Sequence, residues 1–249
     1  MSSLVEVERD DGIAIVTMND AGGQNALGEA MVRELARCFA DLSADGTCHA
    51  VVLCGTPDVF SSGAPRELLV RLASGELSPA AVALASALLD VPVPTIAAME
   101  GHATGGGLAL GLCADIVVVA KESRYGATFM NMGFTPGMGM TRLLEHVLSP
   151  AIAHELLYTG ELRRGDAFEG KSGINHVVRR VDVRARAIDI ARRIADKPRH
   201  ALTLLKRALS APRRAAFAHA HEEEQRMHEA CFSIPETVSR IEGEYLEDV

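Results

Sequence analysis

Three consecutive glycines, Gly105, Gly106 and Gly107, follow the apolar stretch Thr95–Met99 and open a run of small apolar residues. A turn of this kind leaves the backbone open to close approach, because no Cβ stands in the way. The first N–H groups of a helix starting there have no intrahelical partner, and the helix dipole favours negative charge at that end. Such a turn suits an anion, or an oxygen that becomes anionic during reaction. Taken alone, the triplet also fits simple close packing at a strand-to-helix turn, and that plainer reading is the commoner one. A second junction adds weight to the first. Val51-Val52-Leu53-Cys54-Gly55 reads as a buried strand, and Val59-Phe60-Ser61-Ser62-Gly63-Ala64 follows shortly after. The N–H of Ala64 and that of Gly106 would be two backbone donors from separate turns, able to converge on one carbonyl oxygen as an oxyanion hole.

The elements that must position these turns are legible in the pattern. Residues 4–9 and 13–18 alternate apolar and polar side chains around Asp10-Asp11-Gly12, which predicts a hairpin. Met31, Leu35, Phe39 and Leu42 repeat at helical spacing. A helix is expected over 65–72, with Pro65 early, where a missing N–H does no harm. Another is expected over 79–89, ended by Val91-Pro92-Val93-Pro94. The strand 116–120 is apolar throughout, as for a strand covered on both faces, and 123–126 adds a short one. Helices over 137–146, 150–159 and 164–169 follow. Beyond residue 178 only helical patterns remain, over 182–195, 201–210, 214–231 and 235–246. The expected division is a core over 1–181 carrying the site and a helical region over 182–249. No repeat of solenoid period is present.

Composition bounds the function. A chain of 249 residues suits one α/β domain with a helical appendage. The absence of tryptophan and the 4% aromatic content mean a core of Ala, Val, Leu and Ile. The net charge of −8 argues against general nucleic-acid binding. Five cysteines, Cys38, Cys48, Cys54, Cys113 and Cys231, lack C-x-x-C spacing and read as structural thiols of a reducing cytoplasm. No cysteine–histidine cluster has zinc-site spacing, so no metal is expected. The N-terminus lacks a signal pattern. The apolar region 80–99 is broken by Asp90, Pro92 and Pro94, so no membrane span is expected.

The sequence resembles the crotonase (enoyl-CoA hydratase/isomerase) superfamily along essentially its whole length. The residues that carry the resemblance are Gln24-Asn25-Ala26-Leu27, F-S-S-G-A at 60–64, G-H-A-T-G-G-G at 101–107 and Ala114-Asp115-Ile116. G-F-T-P-G-M-G-M-T-R-L at 133–143, Leu157-Tyr158-Thr159-Gly160 and Ile174-Asn175-His176-Val177-Val178 extend it. The resemblance implies an α/β crotonase fold, a ββα-repeat spiral core followed by a C-terminal helical trimerisation region. It implies that the N–H groups of Ala64 and Gly106 hold the thioester carbonyl of an acyl-CoA or acyl-carrier substrate.

The hydratases of that superfamily use two glutamates. Counting from Gly106, one position is Ala109 here, and the other falls without a gap at Phe129. A methyl and a phenyl group cannot position water or move a proton. What remains is an oxyanion hole facing a pocket expected to be walled by Phe129, Met130 and Leu68. Residues 125–139 look like the crotonase decarboxylases of polyketide β-branching, which act on a 3-methylglutaconyl group on an acyl carrier protein. That likeness implies loss of CO2 to a dienolate held in the oxyanion hole, then protonation to an unsaturated thioester.

Those decarboxylases carry a tyrosine and a lysine on the helix after the first oxyanion turn, where this chain has Leu68 and Leu72. Arg71 and Arg66 lie on the same segment, and either could supply the charge. Arginine binds a carboxylate well but donates protons poorly. The family's C-terminal histidine does match, at His228, and in a trimer its helix could reach a neighbouring subunit's pocket. By itself, a histidine in so charged a helix reads as a solvated surface residue whose removal costs under about 0.5 kcal/mol. His102 either lines the site or packs against the glycine turn. Tyr125 reads as a buried phenol bonded to backbone, and Arg163-Arg164 as a solvated helix start or a contact for a carrier or CoA phosphate. Pro65 stands where generic CoA-binding members have an acidic residue, which favours a carrier-protein substrate.

The resulting expectation is a cytoplasmic homotrimer or dimer of trimers. It needs no cofactor beyond the phosphopantetheine or CoA thioester of its substrate, and it binds an acyl carrier protein rather than nucleic acid or membrane. Another crotonase reaction (dehydration, isomerisation or thioester hydrolysis) and a non-catalytic thioester-binding subunit are the alternatives.

Overall fold

The computed structural model describes residues 3–77 and 84–243. It opens with the hairpin of β1 (Val5–Asp10) and β2 (Ile13–Met18), whose turn residues Asp11 and Gly12 both have positive φ. The helix α1 (Glu29–Ala44) buries Met31, Leu35, Cys38, Phe39 and Leu42 along one stripe. Then come β3 (Ala50–Cys54), β4 (Val59–Ser61), α2 (Arg66–Ala73) and α3 (Leu84–Asp90). Next are β5 (Thr95–Met99), β6 (His102–Thr104), α4 (Gly106–Leu112), β7 (Ile116–Ala120) and β8 (Arg124–Gly126). After a 3₁₀ turn at Thr128–Met132 lie α5 (Met140–Leu148), α6 (Pro150–Thr159), β9 (Leu162–Arg164) and β10 (His176–Val178). The helices α7 (Val183–Ala195), α8 (Arg199–Phe232) and α9 (Pro235–Gly243) complete the described chain.

The strands form two sheets, a large one ordered β1-β2-β3-β5-β7-β10 and a small one ordered β4-β6-β8-β9. Apart from the antiparallel pairs β1/β2 and β8/β9, neighbours are parallel. The pairs β3/β4, β5/β6 and β7/β8 each send their first strand to the large sheet and their second to the small one. This repeated β-β-α unit winds the chain into a spiral. Strands β3, β5 and β7 are apolar almost throughout because both faces are covered. One face packs against the main core, which includes α1, α4 and α5. The other packs against α7 through Val183, Ala187, Ile190 and Ala191.

Several expected elements differ from those observed. The short strands β6 and β9 carry no three-residue signal strong enough to read from sequence. Residues 164–169, expected as helix, supply the end of β9 and a 3₁₀ turn at Gly165–Phe168. The expected helices 201–210 and 214–231 are one helix, α8, which runs through Pro212. Proline in a helix interior costs about 3 kcal/mol. Ion pairs on both sides of it hold the helix in place: Lys206 Nζ lies 2.5 Å from Asp115 Oδ2, and Arg213 Nη2 lies 2.5 Å from Asp115 Oδ1. Of the helix expected over 79–89, residues 79–83 lie outside the described residues, and so do 244–246 of the last helix. All five cysteines are unpaired, four of them buried.

Candidate active site

The two glycine turns meet. Asn25 is fully buried, with Nδ2 donating to Val59 O (2.9 Å) and Phe60 O (3.2 Å), which fixes the edge of β4. Ser61 Oγ donates to Asn25 O at 2.8 Å and accepts from Gly63 N at 3.2 Å. Leu27 N donates to Gly63 O at 2.7 Å. Thr104 Oγ1 donates to Ser62 O at 3.0 Å, and Gly105 N donates to Gly126 O at 2.9 Å, tying the ends of β4, β6 and β8 together. Two glycines make this approach possible. Gly63 has φ +82°, and a Cβ there would stand 2.8 Å from Thr104 O and 3.0 Å from Gly106 N. Gly105, which caps α4, has φ 49° and ψ −121°, a conformation that L side chains rarely adopt.

Ala64, Gly105 and Gly106 line one side of a cavity. Its walls are strongly apolar: Leu72, Phe129, Met132, Phe134 and Met138 contribute. Phe129 and Phe134 meet edge to face, with centroids 5.9 Å apart. The polar side chains come from the first glycine turn, through Ser62, from the 3₁₀ turn, through Thr128, and from α8, through His221, Glu224, Gln225 and His228. Ala109 is buried within α4, so neither of the two positions where hydratases carry glutamate supplies a carboxylate.

Glu224 is the one carboxylate among the described lining residues, and its oxygens are occupied. Gly139 N donates to Oε2 at 2.8 Å, while Thr141 N and Thr141 Oγ1 donate to Oε1 at 2.9 and 2.7 Å. These are the otherwise unsatisfied donors at the start of α5, so Glu224 caps that helix from a distance. Burial pushes its carboxyl above the usual range, against the pull of those donors.

His228 Nε2 lies 2.8 Å from Thr135 O. A carbonyl only accepts, so Nε2 carries a proton. The ring packs between Phe134 and Phe232, at centroid distances of 5.9 and 5.4 Å. Burial lowers its pKa from the ordinary histidine value, the carbonyl contacts opposing the shift. His228 thus lines the cavity of its own chain and is half-buried, which corrects the solvated-surface reading.

The structure brings Ala64, Gly106, Leu72, Phe129 and His228 together on this cavity. It puts the other expected site residues elsewhere. Leu68 and Arg71 face a separate groove between α1 and α2, which Leu72 also borders. Arg71 pairs there with Glu29 (2.5 Å) and Glu76 (3.6 Å), and Arg66 donates to Glu242 O. Leu69 and Leu72 line the cavity, whereas Leu68 and Arg71, each one position earlier on α2, face the groove. Met130 points outward at 41% exposure. His102 sits in a small cleft with Gln24 and Ser61, where Nδ1 accepts from Arg124 N at 2.9 Å and burial lowers its pKa. Tyr125 Oη donates to Met99 O at 2.7 Å and accepts from Ala120 N at 2.9 Å. Arg163 pairs with Glu155 and Glu161, and Arg164 with Asp166.

His221, Glu224 and Gln225 were not singled out from the sequence, although a signal was there. Phe217, His221, Glu224, Gln225, His228 and Phe232 recur at helical spacing and would share one face of a continuous helix. Splitting that helix at Pro212 and weighing its charge hid the stripe.

The spiral of β-β-α units and its paired glycine turns define a crotonase fold, and comparison with known proteins agrees. Residues 8–246 match the enoyl-CoA hydratase/isomerase family, and the chain belongs to it. It is 38% identical to the bacillaene synthase decarboxylase PksI of Bacillus subtilis (strain 168), over 98% of each chain. It superposes with a TM-score of 0.94 on a solved chain from a dehydratase/decarboxylase enzyme couple involved in polyketide β-branching, at 38% identity over 98% of this chain and 99% of that one. The ECH2 decarboxylase domain of CurF from Lyngbya majuscula gives a TM-score of 0.91 and 38% identity, over 98% of this chain and all of that domain. Within its family the chain therefore groups with decarboxylases.

Proposed function

We propose that this chain decarboxylates a 3-methylglutaconyl-type thioester on an acyl carrier protein during polyketide β-branching. The N–H groups of Ala64 and Gly106 hold the thioester oxygen. The bond between the terminal carboxylate and its methylene carbon breaks and releases CO2. Its electron pair moves through the conjugated system onto the thioester oxygen as a dienolate. A proton then returns to carbon, giving an α,β- or β,γ-unsaturated thioester. One observation carries the reading: two abutting glycine turns face an apolar cavity lined by Phe129, and Ala109, buried in α4, holds the other hydratase carboxylate position. The breaking bond itself supplies the electrons, so the step starts without a base or cofactor. Each well-placed donor to the developing oxyanion is worth about 3–4 kcal/mol. His228 lines the cavity, and a proton that its ring takes up from solvent can pass on to the dienolate carbon.

The likeness to decarboxylases supports the reaction class, and the absent hydratase carboxylates support it over hydration. A homotrimer or a dimer of trimers in the cytoplasm completes the proposal. Leu204, Leu205 and Leu209 on α8 are 67%, 56% and 68% exposed, an apolar face suited to a second copy. No helix among the described residues is long and apolar enough to cross a membrane. The test is mass spectrometry of a 3-methylglutaconyl carrier protein incubated with the enzyme. Loss of the mass of CO2 is expected. Gain of one water, or release of the free acid from the carrier, would overturn the reading.

A further inference from the structure

A substrate carboxylate entering this cavity loses its water, and an apolar site tolerates that only where a donor replaces it. The nearby arginines are committed elsewhere. Arg66 bonds Glu242 O, Arg71 pairs with Glu29 and Glu76, and Arg142 lies 3.9 Å from Glu223. Among the described residues lining the cavity, only His221 and His228 can carry positive charge. The Nε2 proton of His228 is spent on Thr135 O. His221 is different. Its ring is parallel to that of Phe217, 8° between planes and 6.1 Å between centroids, which fixes its orientation. Among the described residues, no protein group hydrogen-bonds either of its ring nitrogens. Glu224, one turn further along α8, feels the ring's charge but makes no hydrogen bond to it, because its oxygens are held by three donors at the start of α5.

We propose that His221 receives the carboxylate of the substrate and so makes the cavity specific for an acyl chain that ends in an acid. The inference rests on the decarboxylation reading for the identity of that acid, though not for the way it is tested. A consequence follows for the kinetics. The charge leaves the carboxylate as CO2 forms, so a donor aimed there stabilises the bound acid more than the transition state. Its loss raises KM and does not lower kcat, whereas loss of a proton donor would lower kcat.

The test uses two inert pantetheine thioesters of like shape, 3-methylglutaryl, which ends in a carboxylate, and 3-methylbutyryl, which does not. Dissociation constants are measured for the wild type, His221→Leu and His221→Gln. In His221→Leu, affinity for the acid should fall about tenfold to a hundredfold, the worth of one hydrogen bond to a charged group. Affinity for the acid-free thioester should not change. His221→Gln keeps a donor and should lie between, and it carries the test alone if the leucine variant does not fold. Equal losses for both thioesters, or no loss for either, would overturn the proposal. A wild type that prefers the acid through His221 yet releases no CO2 would overturn the decarboxylation reading alone. One that releases CO2 while His221→Leu keeps the preference would overturn this inference alone.

Discussion

Gly63→Ala tests whether the two turns must touch for the enzyme to work. Gly63 is not a proposed donor, so the change acts only through geometry. At φ +82° an alanine sits in the left-handed region, which costs about 1–2 kcal/mol. The new methyl would stand 2.8 Å from Thr104 O and 3.0 Å from Gly106 N, whereas ordinary contact begins near 3.4 Å. Both neighbours are backbone atoms of β6 and α4 and cannot rotate away. The turns must separate by roughly 0.6 Å, the difference between 3.4 and 2.8, and overpacking of this kind costs about 1–3 kcal/mol. Together the two effects predict a loss of about 2–5 kcal/mol in unfolding free energy. The same displacement moves the Gly106 amide, and loss of one oxyanion donor lowers turnover about 100- to 1,000-fold. Urea unfolding measures the first effect, and single-turnover CO2 release from the carrier-bound substrate measures the second. Gly46→Ala is the control, since a Cβ at Gly46 meets nothing within 4 Å. A folded Gly63→Ala protein with wild-type turnover would refute the convergence of Ala64 and Gly106 on one oxygen.

Four further outcomes are expected. His228→Ala should lower kcat at least about tenfold, the low end of what a positioned proton donor or acceptor contributes, and should cost about 1–3 kcal/mol in stability because the ring is packed and bonded to Thr135 O; an unchanged single-turnover rate would return it to a packing role. Because burial lowers the pKa of His228 in the fold, its stabilising contribution is present above the ordinary histidine value of 6.5 and is lost as pH falls through the lowered one. The stability gap between wild type and His228→Gln, followed by urea unfolding, should therefore shrink on acidification; a gap that widens would contradict that sign. Glu224→Ala removes the acceptor from two backbone amides and a hydroxyl at the start of α5, and a loss of about 2–4 kcal/mol is expected in thermal or urea unfolding. Leu204→Glu together with Leu209→Glu should dissociate the oligomer in sedimentation while far-ultraviolet circular dichroism stays the same; a wild-type protein that sediments as a monomer at micromolar concentration would remove the basis of that prediction.

What sequence made legible, and what it hid, follows from the range of each interaction. The turns at Gly63 and Gly105 were visible because they impose a local demand that few residues other than glycine meet. The stripe Met31, Leu35, Phe39 and Leu42 was visible because burial on one helix face is periodic. The faces of α2 were not resolved so well. Leu68 and Leu72 are four residues apart and nominally share a side, yet Leu68 is buried toward α1 while Leu72 borders both the groove and the cavity. Arg71 is turned away by Glu29, a partner 42 residues earlier that no local pattern announces. The continuity of α8 was hidden for the same reason. Pro212 is a local stop signal, and the groups that override it, Asp115 with Lys206 and Arg213, come together only in the folded chain.

That ionic cluster also explains how two distant stretches of sequence make one site. Gly106 begins α4, and Asp115 lies three residues beyond the last residue of the same short helix. Asp115 is held to β5 by Thr95, whose N and Oγ1 donate to Oδ2 at 2.9 and 3.0 Å. Lys206 and Arg213 close on the same carboxylate, and Arg213 Nη1 also donates to Ala114 O at 2.8 Å. One end of α4 therefore presents the backbone that faces the cavity, while the chain just past its other end fixes the rotation and height of α8. The stripe His221, Glu224, Gln225 and His228 begins eight residues beyond Arg213, about two helical turns away. With the helix pinned at that register, the stripe falls over the glycine turns, and Glu224 locks it a second time onto α5. A buried ion pair is weak evidence for stability, because desolvation consumes much of the attraction. Here its consequence is positional: it fixes the distance between the oxyanion donors and the side chains that must meet the rest of the substrate.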